Sequence, residues 1–383
     1  MVSPARRKHL SNGANGPSAR FLIGRPLLMS LVALSLIGGV AGGLWRLGLA
    51  APSTVDSAWL GRAALDHAPL MICGFLGTVI SLERAVAVKL RWAFAAPLAA
   101  GAAGACMLLG AAQAGKWLAV IAALVFVAVS IVIVRRQRVD HTVLLLVAAV
   151  AWLIGGLLSL AGQASALVLP WWFSFLVVTV AAERLEMTRL MRRRPTAQRS
   201  LHLVLVAMLL GAGLSAFMPV IGGLVYGASL TLLALWLAVF DIARRTLHSH
   251  GLSRYMALCL LGGYFWLALA GLAWAATALG FAARYAALHA LGLGFIVSMI
   301  MGHAPVILPA VARIKLRFTP FFFVPLLALH LSLVLRLGLG AFEHSMRSAG
   351  AALNVAAIMV FAATVVGAAW SHRAHDNQTD LRS

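Results

Sequence analysis

The amino-acid sequence predicts an all-α, polytopic membrane protein of twelve transmembrane helices. Three observations carry that expectation. Of the 383 residues, 62% are hydrophobic and only 11% are charged, where a soluble domain holds about 45–50% and about 25%; the mean hydropathy is +0.95. Twelve apolar runs reach the length of about 20 residues that a spanning helix needs. Basic residues concentrate in alternate connections between those runs. So much apolar surface cannot be buried in a soluble globule of this size, which excludes a soluble enzyme. A disordered chain would be poor in apolar residues, and a porin-like barrel would alternate rather than run continuously apolar.

In chain order, residues 1–25 form a basic tail rich in Ser, Gly, Asn and Pro. The apolar run that follows is too long for a signal-peptide core, and no cleavage site stands out. The spans are expected near 26–48, 63–88, 93–113, 117–135, 141–164, 168–188, 200–219, 221–243, 254–280, 284–312, 318–338 and 348–371. Together 26–371 make one membrane domain with no inserted soluble domain, and 372–383 form a second tail. Pro97 and Pro170 fall inside spans, where tertiary contacts can satisfy the freed backbone.

The charges sort by side. One side carries Lys89, Arg91, Arg135, Arg136, Arg138, Arg192, Arg193, Arg194, Arg199, Arg244, Arg245, Arg254, Arg313, Lys315 and Arg317, and it also holds both termini. The other carries fewer: Arg46, Arg62, Lys116, Arg284, Arg336 and Arg347. The positive-inside rule therefore places both termini in the cytoplasm of a bacterial inner membrane. The formal charge of +21 would point to nucleic acid in a soluble protein. In a membrane protein it reads as topology signal, so the bilayer is the expected partner and nucleic acid is not. Cys73, Cys106 and Cys259 lie in apolar stretches without CxxC pairing and read as small buried hydrophobes.

Span two ends in Ser81-Leu82-Glu83-Arg84, and span six ends in Ala181-Ala182-Glu183-Arg184, four helices later. Span ten, four helices later again, ends around His303-Ala304-Pro305, which echoes His67-Ala68-Pro69. The spacing points to three four-helix units.

Ionisable groups inside a bilayer are costly and default to functional roles. His9, His248, His250, His344, His372 and His375 fall in tails or loops, and His141 and His202 begin helices at the cytoplasmic face. Four histidines remain. His67 and His289 each sit about one turn inside the outer ends of spans two and ten. His330 lies mid-span in span eleven, about 12 Å below the outer boundary at the α-helical rise. His303 lies about 21 Å deeper than His289, level with Glu83 and Glu183.

Two imidazoles at one depth on different helices suit a six-coordinate haem. Gly74 and Gly292, at helical spacings from the two histidines, would let a flat macrocycle approach. The alternative for this pair is interhelical hydrogen bonding. His330 reads as a metal ligand, a propionate partner or an interhelical donor. His303 reads as a metal ligand or as a helix-end histidine paired with Glu83 or Glu183. Met71, one turn after His67, is either a soft ligand or packing.

The stretch from His67-Ala68-Pro69-Leu70-Met71 to Gly74-Phe75 resembles the span-two motif of NnrS proteins, which has two histidines, then Glu-Met, then Gly-Phe. His67 matches the first histidine; Pro69 and Leu70 stand at the second histidine and the Glu. His289-Ala290-Leu291-Gly292-Leu293-Gly294, continuing to Ser298-Met299, resembles the family's later His-Ala-Leu-x-x-Gly motif. His303 follows Gly302 as the family's next histidine follows a Gly, at shorter spacing and without the intervening Thr-Arg. Leu335-Arg336 looks like the family's Leu-Arg ending of helix eleven. NnrS proteins are bacterial inner-membrane haem proteins tied to nitric oxide stress and denitrification, also reported to carry copper. The resemblance implies haem b held by His67 and His289. The missing second histidine argues against copper or a second haem.

A more distant similarity is to subunit I of haem-copper oxidases and nitric oxide reductases, twelve helices in three arcs of four. There, helices two and ten clamp a low-spin haem. Ala287 stands where the active-site haem ligand would lie, and spans six and seven lack the copper histidines. The similarity implies an electron-transfer haem without a binuclear centre. Three function classes follow: a haem protein in electron transfer or nitric oxide response, a proton-coupled secondary transporter using Glu83, Glu183 and His303, and a scaffold without chemistry.

Overall fold

The computed structural model describes residues 19–49, 54–187, 195–312 and 316–380. His9 and the rest of the first 18 residues lie outside them, as do Arg192, Arg193, Arg194, Arg313 and Lys315; so do the side chains of His372 and His375. The helices in order are α1 (Ala19–Trp45), α2 (Ser57–Leu65), α3 (His67–Val88), α4 (Ala95–Leu108), α5 (Ala112–Arg136), α6 (Asp140–Leu160) and α7 (Ser165–Met187). They continue with α8 (Pro195–Leu214), α9 (Pro219–Phe240), α10 (Ala243–Thr246), α11 (Gly251–Ala278), α12 (Arg284–Pro309), α13 (Pro320–Ala341) and α14 (His344–Asp380). No strand occurs among the described residues.

Eleven helices among the described residues are long and apolar enough to cross a membrane. The run expected at 93–113 is the exception. There, a 3-10 turn over Arg91–Phe94 leads into α4, which has 14 residues. Gly110 then turns the chain at φ +90, and α5 begins at Ala112. Leu109 and Ala111 are apolar, so hydropathy runs straight through a break made by the backbone. Span two also begins later than expected. The Asp56 carboxylate accepts from the Ala58 amide at 2.9 Å and caps α2, which ends at Leu65. His67 is therefore the first residue of α3, not one turn inside it. The last helix extends past 371 to Asp380.

Three helices form the centre. α3, α7 and α12 have 56%, 78% and 56% of their most apolar window buried, against 28–50% for the other spans. An all-round apolar helix such as α7 must be enclosed by others. Trp152 of α6 stacks on Phe175 of α7 with centroids 4.9 Å apart, and Phe126 of α5 meets both edge-on. At the periphery, Leu124, Leu203, Leu235 and Leu331 stay exposed. Such a belt is untenable in water and fits lipid.

Among the described residues three segments are wound as π-helix: Leu70–Gly77 in α3, Ala290–Val297 in α12 and Val334–Gly338 in α13. Such turns are rare and concentrate at functional sites.

α1 packs on α2 and α3 through its glycines. A Cβ on Gly42 would collide with the backbone of Ala63 and Ala64, atoms that cannot move aside. Gly42→Ala is expected to lower stability by about 1–3 kcal/mol, as overpacking does. Thermal unfolding in detergent checks this, with Gly61→Ala as the control: a Cβ there meets nothing within 4 Å.

Candidate functional sites at the two ends of the bundle

His67 and His289 precede the π-helical stretches of α3 and α12, His67 by three residues and His289 directly. The His67 Nδ1 lies 2.6 Å from the Gly39 carbonyl oxygen of α1, and the His289 Nδ1 lies 2.8 Å from its own Tyr285 carbonyl. A carbonyl oxygen only accepts, so in both rings Nδ1 carries the proton. In the neutral imidazole the lone pair is then on Nε2. Neither Nε2 has a hydrogen-bond partner among the described residues. A histidine held by Nδ1–H to a backbone carbonyl, with Nε2 free, is oriented as metal-ligating histidines are. The two rings interact electrostatically with each other, and Arg46 and Arg336 act on both. They therefore share one region at the same end of the bundle.

α1 seats His67. A Cβ on Gly43 would fall 2.9 Å from His67 Cε1, so only glycine admits the ring there. Met71 packs its sulfur against Gly39 of α1. Gly74 faces Ser35 of α1 and Gly104 of α4. Both residues thus serve close packing of α3 on its neighbours. Gly292 is different: a Cβ there meets only the Phe173 ring of α7, at 3.9 Å, so space remains beside α12.

Tyr285 holds His289 in place. Besides accepting from Nδ1 through its carbonyl, its ring lies 4.2 Å from the imidazole. Its hydroxyl accepts from Arg336 Nε at 2.7 Å.

His330 is in the opposite tautomeric state. Trp266 Nε1–H of α11 donates to His330 Nδ1 at 2.8 Å, so the ring proton is on Nε2. That Nε2 is buried without a partner and abuts Gly262. The ring acts as an interhelical acceptor rather than the donor that the sequence allows, and it presents no lone pair at Nε2.

At the other end, α3, α7 and α12 meet again through charge. Arg84 Nη2 lies 2.7 Å from Glu183 Oε1 and 3.7 Å from Glu83 Oε1. Arg184 forms a two-pronged pair with Asp241, Nε to Oδ2 at 2.8 Å and Nη2 to Oδ1 at 3.0 Å. The His303 Nδ1 donates to the Met299 carbonyl at 2.7 Å, and Arg184 Nη1 approaches His303 Nε2 at 3.5 Å. Glu83 and Glu183 both act electrostatically within this cluster, Glu83 on His303 as well. The expected level of His303 with Glu83 and Glu183 is thus what the helices bring about, with Arg184 as its direct neighbour. The His-Ala-Pro echo has a different meaning, because His67 opens α3 whereas His303 lies near the end of α12. The spacing that recurs is another: Phe75, Phe175 and Phe295 each stand eight residues before Glu83, Glu183 and His303.

Several residues of these sites escape a reading along the chain. Asp241 sits inside the run expected to span 221–243, and a lone acid in an apolar run is its signal. Tyr285 and the acid-free surroundings of Arg336 have no local signal at all. Among the described residues no three His, Cys, Asp or Glu side chains gather as a metal-binding group. A two-histidine haem needs no such trio.

No curated protein and no solved structure matches the chain. A family model does match, over residues 25–370, which is the whole helical body from α1 into α14. On that match the chain belongs to the family described as a domain of unknown function, DUF8744.

Proposed function

We propose that this protein is a haem-binding bacterial inner-membrane protein, similar to NnrS proteins, in which His67 and His289 would hold the haem iron. The observation that carries this reading is the tautomer of the two rings. Each donates Nδ1–H to a backbone carbonyl and keeps an unpartnered Nε2, and the two lie in electrostatic reach of each other. The donor set fits an iron that takes one imidazole from each side. Haem b bound there would supply one-electron chemistry, in electron transfer or in a response to nitric oxide. With two imidazoles of the chain holding the iron, relay of electrons would be favoured over gas binding. The chain's own part is orientation: Gly39 and Tyr285 fix the rings, and Gly292 leaves room beside α12. No copper site is proposed, since Pro69 offers no ligand.

The architecture that goes with this reading has twelve spans in three four-helix units, with α4 as the short third span. The recurring Phe-to-Glu/His spacing on the three most buried helices supports it. Both termini are placed in the cytoplasm on the distribution of basic residues.

The test is spectroscopic. Protein purified in mild detergent from haem-replete cells should be red, with a Soret band that shifts on dithionite and about one haem per chain by pyridine haemochrome. Colourless protein would sink the reading.

A second reading, a proton-coupled secondary transporter, rests on the cluster of Glu83, Glu183 and His303 with Arg84 and Arg184. Ionisable groups at the meeting point of central helices are what proton relays are made of. Proton uptake by proteoliposomes that is abolished in Glu183→Gln, from colourless protein, would favour it.

A further inference from the structure

The His67 end of the bundle holds a buried cation with no acid near it. Arg336 is 7% exposed. Its Nε donates to the Tyr285 hydroxyl at 2.7 Å and its Nη1 to Asn354 Oδ1 at 3.1 Å. Both partners are neutral. Asn354 in turn donates to Ser332 Oγ at 2.6 Å, so the amide is oriented with its oxygen toward the guanidinium.

The chain has ten acids. Glu83, Glu183, Glu186 and Asp241 belong to the opposite end of the central helices, and Asp140 pairs with His202 and Gln198. Asp376 and Asp380 lie at the far end of α14. None of Asp56, Asp66 or Glu343 acts on Arg336; the charged group that does is another cation, Arg347. The Arg347 guanidinium sits 5.0 Å from the Tyr285 ring centre and that of Arg336 5.3 Å from it. Two guanidiniums thus flank one phenol, with Arg46 adding positive charge to the same region.

A buried charge is tolerated only when paired, because desolvation costs several kcal/mol per ion. At Arg336 the protein supplies no counter-charge, yet the position is closely built. Arg336 lies in the π-helical turn Val334–Gly338, and α14 is pressed against it at Gly350. A Cβ on Gly350 would lie 2.6 Å from Arg336 Cβ. Arg347 Nε is tied to the Gly340 carbonyl at 2.7 Å. Beyond the Tyr285 ring face, Arg336 Nη2 and both Nη atoms of Arg347 have no hydrogen-bond or carboxylate partner among the described residues. The Tyr285 hydroxyl accepts from Arg336, so its own hydrogen is available to donate.

We infer that Arg336, Arg347 and Tyr285 form a binding site for a singly charged anion, a carboxylate or a small inorganic oxyanion, between α12, α13 and α14. Guanidinium forks match such planar anions in geometry and charge. The anion has two sources: a free solute, or a carboxylate carried by a cofactor bound at His67 and His289. The site does not depend on the haem reading, because the unpaired cation is there whichever source fills it.

The experiment is isothermal titration of the purified full-length protein in dodecyl maltoside and chloride-free buffer, with sodium acetate and sodium nitrite as probes. It is run on protein as isolated and on protein stripped of any haem. Saturable binding of one anion per chain is expected in the stripped protein, weakened at least tenfold in Arg336→Gln and in Arg347→Gln. Binding that persists in the isolated form assigns the site to a free solute. Binding blocked there and released by stripping assigns it to a cofactor carboxylate. If the protein carries no haem, the two preparations coincide and acetate or nitrite binding alone decides, so failure of the haem reading leaves this test intact. Absence of saturable binding in both preparations, or binding unchanged by both substitutions, overturns the site. Should Arg336→Gln not fold, the half-buried Arg347 and the Tyr285→Phe variant, which removes only the hydroxyl, carry the comparison.

Discussion

Asp241→Ala is expected to lower the stability of the folded protein by about 3–5 kcal/mol, the range for removing one partner of a buried ion pair. The Arg184–Asp241 pair has side chains only 3% and 1% exposed. Its two parallel hydrogen bonds, at 2.8 and 3.0 Å, are the strong, geometry-specific kind. Asp241 does more than neutralise Arg184. Its Oδ1 also accepts from the Ala243 amide at 2.8 Å, tying down the first residue of the short α10 that leads into α11. The substitution therefore removes the bidentate partner of a buried guanidinium and the acceptor of the Ala243 amide at once. Asp241→Asn keeps one acceptor and the shape, so its loss should be smaller. Removing the acid of the other pair, by Glu183→Gln, should cost less still, since Arg84 keeps Glu83 at 3.7 Å. Thermal unfolding in detergent, followed by tryptophan fluorescence, ranks the three. A fall of under about 1 kcal/mol for Asp241→Ala would contradict a desolvated, bidentate pair, whose rupture takes the carboxylate from a buried guanidinium.

On the proposed ligation, His67→Ala and His289→Ala should each abolish stable haem binding, with little effect on folding. Each ring makes one hydrogen bond to a backbone carbonyl, at 2.6 and 2.8 Å, worth about 1 kcal/mol. The polypeptide should therefore persist while the Soret band disappears. The ligand role further predicts a graded series. Gly43→Ala places a Cβ 2.9 Å from His67 Cε1, so it should shift or broaden the band without removing a ligand. Tyr285→Phe keeps the carbonyl that orients His289 and should retain the haem. His330→Ala should retain it too, because that ring gives its Nδ1 to Trp266. Loss of the spectrum in His330→Ala but not in His67→Ala would move the ligand assignment to α13.

Much of the site is legible along the chain because burying ionisable groups in an apolar run is costly, which makes each one conspicuous. His67, His289, His303, Glu83 and Glu183 all stand out for that reason. Their tautomers and partners are not legible. Depth and motif separate His330 from His289 along the chain, but not the tautomer of either ring; Trp266, 64 residues away, sets that of His330 by donating to its Nδ1. Met71 and Gly74 follow His67 at helical spacing, yet they point to α1 and α4. Which neighbour a helix face meets depends on packing among distant segments, and a π-helical turn of eight residues shifts the faces that α-helical spacing would assign.

Composition and periodicity alone establish a polytopic helical protein, the approximate span limits and the side on which positive charge accumulates. Each follows from the free energy of moving single residues between water and hydrocarbon, a local quantity. The breaks at Asp66 and Gly110, the union of α3, α7 and α12 at the centre, and the acid-free setting of Arg336 follow only from the folded arrangement. A counter-charge is present or missing in three dimensions, and ten acids scattered over 383 residues do not reveal in one dimension which cation they leave alone.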